Sequence, residues 1–144
     1  MARVEKSIEI EVTPDRIWEM LFWDRIPEWL EGIKEAIYTS EEKRNVGATA
    51  HVKAETAGVK VEFGVEITEY VENEGAAWRT TAGNFTAIGS TILKPTKIGT
   101  ELTLMMDYEL PYSILGKIVD KVLVSKETAD GFQEGLEKLK EMLE

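Results

Sequence analysis

Two side chains are the candidates for chemistry in this chain of 144 residues. Tyr108 shares one face of an alternating run with Leu104 and Met106, so its hydroxyl could form one directional hydrogen bond in apolar surroundings. Arg79 falls on the outer face of its strand, and a bulge would turn it inward, where it could bind a ligand carboxylate. With Tyr108, an inward Arg79 or Thr80 would polarise a carbonyl or transfer a proton. The alternative for Tyr108 is a core tyrosine whose hydroxyl reaches a backbone carbonyl or solvent.

Other arrangements for catalysis or metal binding are missing from the sequence. His51 is the only histidine, and alternation with Thr49 and Lys53 places it on the outer face, which favours a surface histidine over a general base. The chain has no cysteine, which excludes disulfides, thiolate metal sites and a cysteine nucleophile. It has no phosphate-binding glycine loop and no histidine–carboxylate cluster with metal-ligand spacing. We therefore predict neither a metal nor a cofactor.

The charge and hydropathy of the chain narrow its partners. Twenty-seven acidic and 17 basic residues give a net charge of −10, which repels nucleic acid and anionic lipid surfaces. No run approaches the roughly 18 apolar residues of a membrane span, so no integral membrane association is expected. The N-terminal sequence lacks the apolar core of a signal peptide, which favours a cytoplasmic location. The length suits a single domain over 1–144.

The order of predicted elements is one strand, two short helices, about six strands and one long helix. The first strand, 3–12, leads into a helix capped by Thr13, and a second short helix containing Trp29 ends at Gly32. After Pro111, apolar residues at helical spacing predict one long amphipathic helix. Short strands joined by tight turns indicate antiparallel pairing, hence an α+β fold. The remaining strands are predicted at 35–42, 48–56, 59–70, 76–82, 85–94 and 100–110.

Several local motifs in this order resemble the START / birch-pollen-allergen superfamily, often labelled SRPBCC. Within it, the chain is most similar to the polyketide cyclase/dehydrase-like and coenzyme-Q-binding-like families. The motifs are the entry into the first helix at Val12–Trp18, Trp29 at the end of the second helix, Gly47 before a strand, Lys94-Pro95 followed by Gly99–Thr103, and Tyr108–Pro111 before the last helix.

The resemblance implies a helix-grip fold, in which a seven-stranded antiparallel sheet curves around the C-terminal helix and encloses a cavity. It implies a protein that binds a small hydrophobic molecule, such as a lipid, quinone, sterol or polyketide. One alternative is a cyclase or dehydratase acting on a polyketide-like substrate. Another is a protein-interaction module like the chaperone-activating branch. Fold alone does not choose among these.

The inner face of the predicted sheet carries many small residues: Ala48, Ala50, Ala54, Ala82, Ala87 and Gly89. Large residues opposite them would make a packed core, and otherwise they leave a pocket. On the long helix, Gly131 and Gly135 lie one turn apart and indicate either close packing or room for a ligand. Ile88, Ile92 and Met105 fall on the outer face, where they could support a homodimer. The predicted cavity residues are Trp29, Val52, Ala54, Phe63, Val65, Trp78, Thr80, Phe85, Ala87, Thr91, Leu104, Met106, Tyr108, Ile118, Val122 and Phe132.

Overall fold

A computed structural model describes residues 2–109 and 121–144. The predicted beginning of the long helix, with the proposed cavity residue Ile118, lies outside the described residues. The elements within them are β1 (Ala2–Ile10), α1 (Pro14–Trp18), a short 3-10 helix (Ile26–Glu28), β2 (Ile33–Tyr38), β3 (Thr49–Thr56), β4 (Val59–Val71), β5 (Gly75–Gly83), β6 (Thr86–Pro95), β7 (Thr100–Glu109) and α2 (Lys121–Leu143).

The seven strands form one antiparallel sheet in the order β1-β7-β6-β5-β4-β3-β2. The chain therefore crosses from one edge of the sheet to the other between β1 and β2, and α1 and the 3-10 helix make that crossing. Strands β2 to β7 then run back in sequence until β7 pairs with β1. The curled sheet and the long C-terminal helix are the predicted α+β helix-grip fold, which is confirmed.

Alternation along the strands places most of their apolar side chains on the inner face. In β4, Val61, Phe63, Val65 and Ile67 are all buried, whereas Lys60 and Glu62 are exposed. This is the pattern expected for a sheet with one face on the core and the other in water. His51 lies on the outer face, as predicted, and its Nε2 is 2.6 Å from Oε1 of Glu62.

Two predicted elements between β1 and β3 are shorter than expected. The second short helix is a single 3-10 turn that ends before Trp29, because Trp29 leaves the helical backbone region, with φ at −129°. The Trp29 and Leu30 amides both donate to the Ile26 carbonyl. The strand predicted at 35–42 runs instead from Ile33 to Tyr38. The chain then turns away, and the Ser40 hydroxyl donates to the Glu42 carbonyl at 2.6 Å.

A bulge in β5 corrects the prediction for Ala82. Thr80 pairs with Val65 of β4, whereas Ala82 pairs with Gly64, so β5 contains one extra residue, Thr81. A one-residue insertion reverses which face the following side chains occupy. Ala82 is therefore exposed instead of lining the inner face.

The turn between β6 and β7 fits closely against the end of β1. A Cβ atom added to Gly99 would lie 2.1 Å from the Ile10 carbonyl oxygen, so no larger residue fits there. Next to it, the fully buried Thr100 donates its hydroxyl hydrogen to the Val12 carbonyl at 2.8 Å. The Gly99-Thr100 motif thus joins this turn to the segment that leads into α1.

Helix α2 packs most tightly over its C-terminal half. Leu136 and Leu139 are fully buried in the cluster that contains Ile10 and Leu102. A Cβ atom added to Gly135 would lie 2.8 Å from Leu30 Cδ1 and 3.2 Å from the Trp29 carbonyl oxygen. A Cβ atom added to Gly131, one turn earlier, would meet nothing within 4 Å. The helix is therefore packed at Gly135 and stands off its surroundings at Gly131.

The aromatic segment after α1 is held to the sheet by polar contacts of its backbone. The Trp23 amide donates to the Tyr38 hydroxyl oxygen at 3.0 Å, and the Trp29 indole donates to the Met20 carbonyl at 2.8 Å. Burial raises the pKa of Tyr38 to about 12, an effect that the Trp23 amide partly opposes. The segment thus forms a fixed wall at one end of the sheet.

The two helix glycines should respond oppositely to alanine. Gly131→Ala should stabilise the fold by about 0.5–1 kcal/mol, because alanine favours the helix and the added methyl group meets open space. Gly135→Ala should destabilise it by about 1–2 kcal/mol, because the Trp29 and Leu30 backbone would have to move. Urea denaturation measures both values, and the same sign for the two variants would contradict the described packing.

Tyr38 should make the stability depend on pH at alkaline values. The unfolded tyrosine loses its proton near pH 10, whereas folded Tyr38 keeps it until about pH 12. The stabilisation that the raised pKa of Tyr38 gives to the folded state is therefore complete below pH 10 and is lost as pH rises towards 12. Tyr38→Phe should lower the free energy of unfolding at neutral pH through loss of the Trp23 contact, but it should flatten its decline between pH 10 and 12. Parallel curves for the two proteins would contradict the assignment.

Candidate functional site

A cavity of about 400 Å³ lies between the inner face of the sheet, the part of α2 from Val124 to Glu134 and the segment from Leu21 to Lys34. This volume is within the range of small-molecule sites in proteins. Most of its described wall is apolar, and seven aromatic side chains of the described residues line it: Trp23, Trp29, Phe63, Trp78, Phe85, Tyr108 and Phe132.

Ten of the predicted cavity residues line this space. They come from the 3-10 segment, from five strands and from α2, which shows how the fold gathers distant parts of the sequence around one volume. The ten are Trp29, Ala54, Phe63, Trp78, Phe85, Thr91, Leu104, Met106, Tyr108 and Phe132. Their role in binding remains a proposal.

Five other predicted cavity residues do not line it. Val52, Val65 and Ala87 are 0%, 1% and 1% exposed and pack within the core clusters. The Thr80 hydroxyl is occupied by the backbone of Ala87, whose amide donates to it at 3.0 Å. Val122 is 77% exposed, because it lies two residues, about 200° around the helix, from the buried Val124.

The two candidate catalytic residues are not brought together. Tyr108 is 4% exposed and lines the cavity, and its hydroxyl oxygen lies 3.1 Å from Oγ of Ser125 on α2. Arg79 lies on the outer face, where it donates to Glu66 at 2.9 Å. The bulge at Thr81 follows Arg79 in the chain and does not turn it inward. Arg79 therefore lies on the outer face that alternation predicts, and the alternative, an inward Arg79 beside Tyr108, is not formed.

Trp78 fills the space that one of the small inner residues leaves. A Cβ atom added to Gly89 would lie 2.4 Å from Cε2 and Cζ2 of the Trp78 indole, so the ring rests against the bare backbone of β6. The same ring meets Trp23 edge-on, with centroids 5.3 Å apart and planes at 80°. The Trp78 ring is therefore held between β6 and Trp23, and it also lines the cavity.

The opening of the cavity is made of residues that sequence reasoning missed. They belong to the β3–β4 hairpin at Thr56–Val59, to the segment 31–34, and to the face of α2 that carries Glu127, Gly131 and Glu134. The hydroxyls of Thr56 and Thr128 lie 3.3 Å apart and connect the hairpin with the helix. Two glycines in the sequence point to this opening: Gly58 marks the β3–β4 hairpin, and Gly131 lies on the helix face that has no packing partner there.

The carboxyl groups with lowered pKa values lie in ion pairs on the surface. The His51 imidazole lowers the pKa of Glu62, and the Arg3 guanidinium lowers that of Asp107. Neither carboxylate lines the cavity. Residues 2–109 and 121–144 contain no group of three or more His, Cys, Asp or Glu side chains that could hold a metal ion. Within the same residues, no helix is long and apolar enough to span a membrane.

Known proteins similar to this chain share its whole length. A 17.2 kDa uncharacterised protein of Streptomyces lincolnensis, encoded in the melC2–rnhH intergenic region, is 28% identical over 100% of this chain and 91% of its own. The crystal structure of TTHA0849 from Thermus thermophilus superimposes with a TM-score of 0.81 at 21% identity, covering 99% and 97% of the two chains. A START superfamily protein from Mycobacterium smegmatis gives 0.77 at 17% identity over 98% and 96%.

The structural matches establish the fold, whereas the family is established by a match to the sequence. The family model described as "polyketide cyclase / dehydrase and lipid transport" matches residues 1–144. This match confirms the resemblance drawn from the motifs around Pro14, Trp29 and Gly99-Thr100. The chain therefore belongs to the polyketide cyclase / dehydrase and lipid transport family and has its START-like fold.

Proposed function

We propose that the protein binds a small hydrophobic molecule in the cavity between the sheet and α2. The observation that carries the proposal is the open volume of about 400 Å³ beside Gly131, where the helix leaves the sheet. Its aromatic and aliphatic lining offers a ligand apolar contact, and burial of apolar surface is the main favourable term in such binding. Family membership, which includes lipid transport, supports the same function.

The two alternatives have less support. Catalysis by a cyclase or dehydratase would need polar groups around a reacting atom. The Tyr108 hydroxyl is already hydrogen-bonded to the Ser125 hydroxyl, and Arg79 lies on the outer face of the sheet. A pure protein-interaction module would have a filled cavity, whereas this one is open. Ligand binding without chemistry is therefore the function that the geometry favours.

Three expectations from the sequence stay predictions. One is the single domain over 1–144, and another is a cytoplasmic location. The third is a homodimer, for which the exposed side chains of Ile88 and Ile92, at 49% and 44%, supply apolar surface on the outer face of β6. Sedimentation at micromolar concentration would test the dimer, and a monomer at all concentrations would contradict it.

The binding proposal can be tested by filling the cavity from the helix. The neutral probe N-phenyl-1-naphthylamine should gain fluorescence on binding the wild-type protein. Gly131→Leu places a side chain where the structure has open space. Burying a leucine side chain contributes roughly 1.5–3 kcal/mol. If the new side chain takes the place of an equal apolar contact with the probe, the probe should bind at least about tenfold more weakly.

Lys138→Leu is the matched control, because it adds the same side chain to an exposed position of the same helix, away from the cavity. This variant should bind the probe like the wild type, and circular dichroism should show all three proteins folded. Absence of probe binding by the wild type, or equal affinity for Gly131→Leu and wild type, would refute the proposed site.

A further inference from the structure

The opening of the cavity is strongly acidic. Among the described residues that line the cavity, the charged ones are Glu31, Lys34, Glu55, Glu127 and Glu134. Four of the five side chains are carboxylates, and each of these five residues is exposed or half-buried. A ligand with a polar end at the opening would therefore meet a net negative charge.

These four carboxylates form no ion pair with any described residue, whereas basic side chains are paired elsewhere. Arg79 binds Glu66, Arg44 binds Glu19, and Arg3 binds Asp107, all away from the cavity. Among the residues whose side chains the structure describes, the charge of these four carboxylates is therefore not compensated by a salt bridge. The net charge of −10 for the whole chain adds to the same field.

Deeper in the cavity, the lining offers hydroxyl groups and no cation among the described residues. Thr91 and Tyr108 carry the hydroxyls, and Tyr108 shares its hydrogen bond with Ser125. A carboxylate or phosphate buried there would lose its water without gaining a positive partner, which is costly. An uncharged polar group would lose much less.

We propose that the cavity selects amphipathic molecules whose polar end is uncharged or cationic and discriminates against carboxylates and phosphates. The inference rests on the proposed function, because it assigns a ligand class to the same cavity. Its basis is the juxtaposition of an apolar volume with an opening that carries one lysine and four carboxylates, none of them ion-paired with a described residue. The interior disfavours anions for a second reason, because Lys34 at the opening is the one cation among the described lining residues and the apolar interior offers none.

The size of the discrimination follows from Coulomb's law. At separations of roughly 8 Å in a water-like dielectric, each net charge at the opening changes the affinity for a singly charged ligand about twofold. The excess of three negative charges therefore predicts about tenfold weaker binding of an anion than of a neutral analogue. Salt should reduce this difference, since the Debye length falls from about 30 Å at 0.01 M to about 3 Å at 1 M.

A matched series of decyl compounds tests the inference. Decanol, decyltrimethylammonium and decanoate share one apolar chain, and each would displace N-phenyl-1-naphthylamine from the full-length protein at pH 8. At low salt, decanol and decyltrimethylammonium should both bind at least about tenfold more tightly than decanoate. In 1 M NaCl the gap between decyltrimethylammonium and decanoate should narrow.

A variant with glutamine at Glu31, Glu55, Glu127 and Glu134 loses four negative charges, so it should bind decanoate about 16-fold more tightly at low salt and decanol with unchanged affinity. The control carries the same four charge losses at the exposed Glu41, Glu72, Glu101 and Glu141, which do not line the cavity. It should leave the selectivity close to that of the wild type.

The outcomes separate this inference from the proposed function. Equal affinity for decanol and decanoate at low salt, or equal effects of the two quadruple variants, would overturn the charge selectivity while hydrophobic binding stands. Failure of the neutral probe and of all three decyl compounds to bind would overturn the proposed function itself, and the selectivity with it.

Discussion

The structure depends on how closely helix α2 can approach the sheet. Over its last turns the approach is complete: Leu136 and Leu139 are fully buried, and Gly135 rests on the backbone of Trp29 and Leu30. Lys140 adds a polar contact, donating to the Glu9 carbonyl at 3.0 Å. At Gly131, one turn earlier, an added Cβ atom would meet nothing within 4 Å. Nearer its start, α2 contacts the sheet again through Ser125 and Tyr108, so the open space at Gly131 lies between two contacts and forms part of the cavity.

The remaining walls are fixed by contacts that the apolar pattern alone does not supply. The Tyr38 hydroxyl oxygen of β2 accepts a hydrogen bond from the Trp23 amide, which ties the aromatic segment to the sheet, and the Trp29 indole donates to the Met20 carbonyl within the segment. Across the cavity, Tyr108 of β7 meets Ser125 of α2. Such directional bonds oppose the hydrophobic tendency to close the space. The cavity therefore exists because its borders are held by polar contacts while its interior is apolar.

Alternation was sufficient to predict most of the sheet from the sequence. Val61, Phe63 and Val65 share a face because side chains alternate strictly along a strand, and all three are buried. Ala82 broke that rule, because the extra residue Thr81 depends on the partner strand and leaves no local signal. Val122 was misplaced because helical spacing tolerates apolar residues at the edge of the stripe.

The candidate site was predictable in its composition but not in its shape. Gly131 and Gly135 are equivalent in sequence, one turn apart on one face, yet only Gly135 has a neighbour. The difference comes from Trp29 and Leu30, roughly a hundred residues earlier in the chain, which pack against Gly135 and leave Gly131 next to open space. The acidic opening was missed for the same reason: Glu31, Glu55 and Glu127 converge only after folding.

The central claim is that a hydrophobic molecule occupies the space between α2 and the sheet, and amide NMR measures it most directly. During titration with decanol, the account predicts saturable shifts of the Gly32, Gly58 and Gly131 amides, which line the cavity. The amides of Gly47 and Gly99, which do not line it, should stay unchanged. Saturable shifts confined to the outer face around Ile88 and Ile92, or no shifts at the three cavity glycines, would contradict the account.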